Sequence, residues 1–310
     1  MALSGGMALH RAFGLTLRSE IPLPGLRPAP SGDADLVIES GDWEAIDAAW
    51  SGAARSPVWE TSFPDGQAVR AELGLAGDQL IAYGDRARFH LSVDLRTVTC
   101  AARDETDPHW QRFLLDTVLW WVCLSRGYQV VHASAVESDA GVLAFAGATG
   151  GGKTSLAAEL LRRGGRLFAD DVLVLERHDA GLIAHPGPPL MNLPCASGYP
   201  QEVGRPLARF PAQAENWVAV DRASERARPV TALFLLRRAA GLPLAVERRN
   251  ATVLDVLPHL WGLPHADGAA ERFQVASDLA HSRSRVSLLK ITGSSSARLA
   301  AASSRLRMAR

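Results

Sequence analysis

The residues able to do chemistry in this chain concentrate between positions 132 and 171: one histidine, a lysine–threonine pair behind a run of glycines, and two adjacent aspartates. The run GATGGGKTSLAAELL (147–161) satisfies the pattern G-x-x-x-x-G-K-[ST] through Gly147, Gly152, Lys153 and Thr154, with Ala148, Thr149, Gly150, Gly151 and Ser155 completing the cradle. Glycines let successive backbone N–H groups converge on phosphate oxygens, and a helix start adds an aligned dipole. Lys153 is placed to reach the β and γ phosphates of a nucleotide, and the Thr154 hydroxyl to ligate Mg²⁺. An accidental glycine turn capping a helix is the plainer alternative.

Asp170-Asp171 follow within RLFADDVLVLE. Core packing explains such a pair poorly, because buried carboxylates need partners. One of the two suits the metal, opposite Thr154, and the other suits taking a proton from an attacking hydroxyl. A turn or a helix cap is the alternative. His132 is either a structural residue or a group that orients Asp170, if the strands bring the two together.

These residues need elements to hold them. GVLAFAG (141–147) reads as a strand and KTSLAAELLRR (153–163) as a helix with Leu156, Leu160 and Leu161 on one side. YQVVHASAV (128–136), RLFADDVLVLE (166–176) and VTALFLLRR (230–238) read as further strands, and ATVLDVLPHLWGL as a helix that starts before Pro258. Residues 108–126 form a broadly apolar helix between a proline and Gly127. Residues 186–211 read as a long proline- and glycine-rich loop, and the tail SSSARLAAASSRLRMAR as a frayed helix. Ahead of these, FGLTLRS, ADLVIES, QAVRAEL, DQLIAYG and RARFHLSV are strand-like, and SEIPLPGLRPAPSGD and ARSPVWETSFPDG read as loops. The expected division is a smaller β-rich or α+β N-terminal domain over 1–105 and an α/β domain over 106–310.

Composition excludes little. With Lys+Arg and Asp+Glu both at 33, net charge points to neither nucleic acid nor an anionic membrane. FLLDTVLWWVCL (113–124) is too short, and interrupted by Asp116, to span a bilayer. Three widely spaced cysteines form neither a metal pattern nor a disulfide framework, and a cytoplasmic protein is expected.

Residues 131–176, VHASAVESDAGVLAFAGATGGGKTSLAAELLRRGGRLFADDVLVLE, resemble the catalytic domain of the HPr kinase/phosphorylase superfamily. FGLTLRSEIPLPGL resembles the openings of HPr-kinase-like proteins of peptide-modification clusters, including the proposed kinases of lasso-peptide precursors. The resemblance implies a P-loop fold like the nucleotide-binding part of phosphoenolpyruvate carboxykinase, with ATP and Mg²⁺ as cofactors. It implies roles for Lys153 and Thr154 at the phosphates and metal, for Asp170 as general base beside His132, and for Asp171 on the metal side. Bifunctional members carry His-Gly where this chain has His132-Ala133, and a glycine- and asparagine-containing signature that PGPPLMNLPCASG (186–198) fits poorly. The expectation is therefore a one-way serine kinase of a peptide or small protein, with homo-oligomers common among relatives. Rival readings are a small-molecule hydroxyl kinase and a regulatory ATPase. For the acceptor, Arg162, Arg163, Arg166, Arg205 and Arg209 are candidates, with the 186–211 loop as a lid.

Overall fold

The computed structural model describes residues 8–51, 54–179, 181–195, 200–238, 245–247, 251–263, 265, 268–281 and 285–291. It is a mixed α/β architecture dominated by two large sheets. The sequence tail after 291 lies outside the described residues.

The first sheet has eight strands: β1 (Ala8–Ala12), β2 (Leu15–Ser19), β3 (Leu36–Ser40), β4 (Arg55–Ser62), β5 (Ala68–Gly74), β6 (Gln79–Tyr83), β7 (Ala87–Leu91) and β8 (Thr97–Ala102). Their order is β1-β2-β3-β8-β7-β6-β5-β4, and helix α1 (Trp43–Ser51) connects β3 to β4. The segment 54–66 was expected to be a loop on account of its prolines, yet most of it is β4. An edge strand tolerates Pro57, because the missing N–H faces no second neighbour, and the register shifts between Pro57 and Trp59.

A helical stretch then runs from Pro108 to Ser125 as α2 (Pro108–Phe113), a π-helical turn (Leu114–Val118) and α3 (Leu119–Ser125). Asp107 caps it by accepting from the His109 N–H, and Pro108 occupies the first turn, where no N–H is needed. Its broad apolar content has a structural cause. Phe113, Leu114, Leu119, Trp120 and Trp121 belong to one core with Val69, Phe89 and Val98 of the first sheet and Val130 and Val172 beyond it. The Trp121 indole N–H donates to Gln79 Oε1 at 2.6 Å, which satisfies two buried polar groups at once.

The second sheet is built on β9 (Gln129–Ser138), β10 (Gly141–Gly147), β11 (Arg166–Ala169), β12 (Val172–His178) and β13 (Gly181–His185). Helix α4 (Lys153–Arg162) follows β10. β9 is split between partners: its second half pairs with β10 and β11, its first half with β12. Two further strands, β14 (Leu190–Pro194) and β15 (Gly204–Phe210), join β16 (Glu215–Val220) in a small antiparallel sheet, with helix α5 (Pro200–Val203) between them. Most of 186–211 is therefore regular structure rather than a loop lid; residues 196–199 of it are outside the described set. β17 (Arg228–Arg238) runs parallel to β10, and β18 (Ala245–Glu247), helix α6 (Val253–Val256), β19 (Leu260–Trp261), helix α7 (Ala269–His281) and β20 (Arg285–Ile291) follow it. Among the described residues no helix is long and apolar enough to cross a membrane.

Candidate functional site

β10 is buried except at the half-buried Leu143 and ends at Gly147, where a Cβ would lie 2.8 Å from the Leu236 carbonyl of β17. Only glycine allows that approach. The chain then turns through residues 148–152, with the Gly151 N–H donating to the Ala148 carbonyl at 2.8 Å, and enters α4. Gly152 sits at the helix N-cap with φ +98°, a left-handed conformation that L side chains rarely adopt. The first turn of α4 thus presents N–H groups without intrahelical partners toward the loop. The Lys153 ammonium folds back onto the carbonyls of Gly147 and Ala148, at 3.2 and 3.4 Å. Burial lowers its pKa, and the charges of Asp171 and Asp170 oppose that shift.

RLFADDVLVLE is two strands, broken at the aspartates. The Val172 N–H reaches the Asp170 carbonyl at 2.7 Å, and Asp171 between them has φ +60°. That is a γ-turn of the rare positive-φ kind, which points the two adjacent carboxylates in different directions. Asp170 is enclosed behind the loop. Its Oδ1 accepts from Ser134 Oγ at 2.6 Å and from Thr154 Oγ1 at 2.9 Å, and its Oδ2 accepts from the Asn192 backbone N–H at 2.9 Å. Burial, together with the neighbouring Asp171 charge, pushes its carboxyl above the usual carboxylate range, against the pull of those three hydrogen bonds.

Asp171 instead faces a cleft of about 370 Å³ that Lys153, Thr154 and His132 also line. His132 Nε2 lies 3.9 Å from Asp171 Oδ1, and Asn192 Nδ2 donates to Asp171 Oδ2 at 3.0 Å. The register explains this placement: Val172 pairs with His132, so the residue before it meets the histidine. His132 and Ser134, two apart on β9, project to the same face. The sequence expectation set His132 beside Asp170 and gave Asp171 the metal side. In the structure His132 lies beside Asp171 instead, and the turn at Asp171 sends Asp170 back to Thr154. Burial, and then the Lys153 charge, lowers the His132 pKa to about 4 despite Asp171, so the ring beside that carboxylate is neutral.

Four site residues escaped the sequence reading: Ser134, Asn192, Arg112 and Asp116. The π-turn in the long helix carries Asp116 into the cleft wall. Arg112 Nε donates to Asp116 Oδ2 at 3.3 Å, and an Arg112 terminal nitrogen donates to Glu215 Oε2 at 2.5 Å. Asn192 Nδ2 also donates to Asp116 Oδ2, at 3.2 Å. Burial raises the Asp116 pKa to about 6, with Arg112 pulling it down and Asp171 pushing it up. An acidic residue inside an otherwise apolar helix was the available signal for Asp116. The other three carried none.

The arginines proposed from sequence lie elsewhere. Arg162 and Arg163 hold the buried Glu159, Arg166 bonds the Ala223 carbonyl, and Arg205 and Arg209 are on β15 without lining the cleft.

The donor set fits phosphate groups with Mg²⁺. Thr154 uses its proton on Asp170, which leaves hydroxyl lone pairs on the cleft side. Among the described residues no group of three or more His, Cys, Asp or Glu is arranged to hold a metal alone. A magnesium ion that arrives with phosphates and keeps several waters needs only one or two protein oxygens.

No protein-family model matches the sequence, and no curated protein matches it. Among solved structures the chain is similar to the Hpr(Ser) kinase/phosphatase from Coxiella burnetii, at 16% identity and a TM-score of 0.27, over 59% of this chain and 99% of that one. A likeness of that size carries no argument about function.

Proposed function

We propose that this chain is an ATP- and Mg²⁺-dependent kinase that transfers the γ-phosphoryl group to a serine hydroxyl of a peptide or small protein, in one direction only. On this reading residues 106–310 form a P-loop kinase domain of the HPr kinase type and residues 1–105 a distinct N-terminal domain. The observation that carries the reading is the split of the aspartate pair about the glycine loop. Asp170 is bonded to Thr154 behind the cleft, while Asp171 and the neutral His132 face it.

In this account Gly147 to Gly152 and the first turn of α4 hold the donor phosphates, and Lys153 swings from its own loop carbonyls onto them. Thr154, steadied by Asp170, holds the metal ion, which when bound offsets charge on the transferring phosphoryl group. Asp171 orients the acceptor hydroxyl and takes its proton as the oxygen bonds to the γ-phosphorus and the bond to the ADP oxygen breaks. His132 and Asn192 fix the direction of the Asp171 carboxylate. The Ser134 hydroxyl is not a competing acceptor, because it is fully buried and donates to Asp170.

A half-enclosed cleft of this volume also supports a second reading, a small-molecule hydroxyl kinase. Incubation with γ-labelled ATP, serine peptides and small hydroxyl compounds, read by mass spectrometry, separates the two. Label released only as inorganic phosphate refutes both and leaves an ATPase.

A further inference from the structure

The aromatic side of the cleft has its own chemistry. Phe63, just after β4, and Tyr83 of β6 wall it together with Phe113, Trp120 and Trp261. These rings are mutually packed: Tyr83 stacks on Phe113 at 4.4 Å and Trp120 meets Trp261 at 4.8 Å. The aromatic floor is therefore rigid and shared between the first sheet, the long helix and β19. The same cleft carries a polar band of Arg112, Asp116, Asn192, Gln213 and Glu215, which Asn192 ties to Asp171, while Trp261 packs on His132 at 5.2 Å.

Three polar atoms in that band are buried and unpaired: an Arg112 terminal N–H group, Asn192 Oδ1 and Gln213 Oε1. Asn192 is only 7% exposed, and its amide orientation is fixed because its nitrogen already donates to two carboxylates. Buried polar groups are costly without partners, and such orphans in a cleft are complementary to a ligand. One is a donor and two are acceptors, so the matching ligand offers a carbonyl and N–H groups together. A peptide backbone does this at every residue.

The charge balance narrows the ligand further. Arg112 is already engaged by Asp116 and Glu215, and Asp171 adds a third carboxylate to the same wall. Lys153, on the loop, also acts on Asp171, but on the kinase reading it is committed to the donor phosphates. Toward the acceptor the band presents three carboxylates against one guanidinium, and an anionic ligand meets net repulsion there.

Resting on the kinase reading above, we propose that the acceptor is a backbone segment whose hydroxyl residue is flanked by an aromatic or aliphatic side chain and by no acidic one. The amide groups pair with Arg112, Asn192 and Gln213, and the apolar neighbour fills the aromatic floor. The first sheet is then part of the acceptor site, through Phe63 and Tyr83.

The test uses the full chain and short serine peptides of one length, with Leu or Phe, Lys, or Glu beside the serine, plus hydroxyl-bearing small amides. Two readouts are taken: phosphopeptide formation, and quenching of tryptophan fluorescence against a Trp261→Phe control. The Leu and Phe peptides are expected to exceed the Glu peptide by about a hundredfold in kcat/KM. Phe63→Ser is expected to raise KM for the Leu and Phe peptides about tenfold with kcat little changed. Glu215→Gln is expected to shrink the discrimination against the Glu peptide about tenfold, a change in selectivity that mere loss of folded protein does not produce. Equal or better use of the Glu peptide overturns the proposal, as does transfer to small amides with none to peptides; the kinase reading survives either result. If no hydroxyl is phosphorylated, the kinase reading fails and binding alone decides. Selective quenching by the Leu and Phe peptides then upholds the acceptor cleft, and its absence overturns it.

Discussion

Asn192 joins three carboxylates, and removing its side chain tests whether the site is held as described. The Asn192 amide donates to Asp116 at 3.2 Å and to Asp171 at 3.0 Å, while its backbone N–H donates to Asp170 at 2.9 Å. Asn192→Ala deletes the first two bonds and keeps the third. A hydrogen bond to a charged group contributes about 1.5–3 kcal/mol. The longer lengths here place each near the low end, for a gross loss of about 3 kcal/mol. Both carboxylates open on the cleft, so water restores part of that, and the unpaired Asn192 Oδ1 disappears as well. A net destabilisation of about 1–2 kcal/mol is expected in urea unfolding followed by tryptophan fluorescence. Nucleotide affinity by calorimetry stays within about twofold, since Asp170 and Thr154 are untouched, whereas turnover falls about tenfold or more as Asp171 loses its tether. A variant as stable and as active as the parent refutes the bridging role. So does one that loses nucleotide binding and keeps its turnover.

Three other outcomes are expected. Gly152→Ala meets no atom within 4 Å of the added Cβ, so its effect is conformational: at φ +98° it costs about 1 kcal/mol and weakens nucleotide binding, and an unchanged affinity counts against the loop geometry. His132, with its pKa lowered to about 4, stays neutral at pH 6 in a proton NMR titration, and a midpoint near the ordinary histidine value contradicts the enclosure described. Asp116 has a folded pKa raised to about 6, so its contribution to stability is fully present below its unfolded value and is lost as pH rises through 6. Asp116→Asn removes that dependence, and its stability relative to the parent should improve by about 2 kcal/mol between pH 4 and 7. Parallel stability–pH curves are inconsistent with a raised Asp116.

The sequence was most legible where backbone pattern and chemistry coincide. The glycine loop between an apolar run and a helix, the strand around His132, and the acidic pair all lie in elements close to those read from periodicity. What the pattern hid was direction. Nothing in RLFADDVLVLE shows that Asp171 takes a positive φ and parts the two carboxylates, because that turn depends on β11 and β12 pairing with different halves of β9. Prolines misled twice. Pro57 lies in an edge strand, and the prolines of 186–211 flank or lie within the strands of a small sheet, one of which delivers Asn192 to the aspartates. The far wall of the cleft was hidden for another reason. Phe63, Arg112, Asn192 and Glu215 are far apart in the chain, and only the packing of two sheets on one long helix brings them to a single cleft.

The division of labour between the adjacent aspartates is the central claim, and Asp170→Asn and Asp171→Asn compared side by side test it most directly. Each variant is measured for Mg²⁺-nucleotide affinity and for single-turnover phosphoryl transfer. The account predicts that Asp171→Asn binds as the parent does and loses transfer by about 10²–10⁴-fold, as expected for a general base. Asp170→Asn, whose amide cannot accept from Ser134, Thr154 and the Asn192 N–H together, should lose affinity first. The opposite pairing, with binding intact and transfer abolished in Asp170→Asn and near-normal transfer in Asp171→Asn, contradicts it.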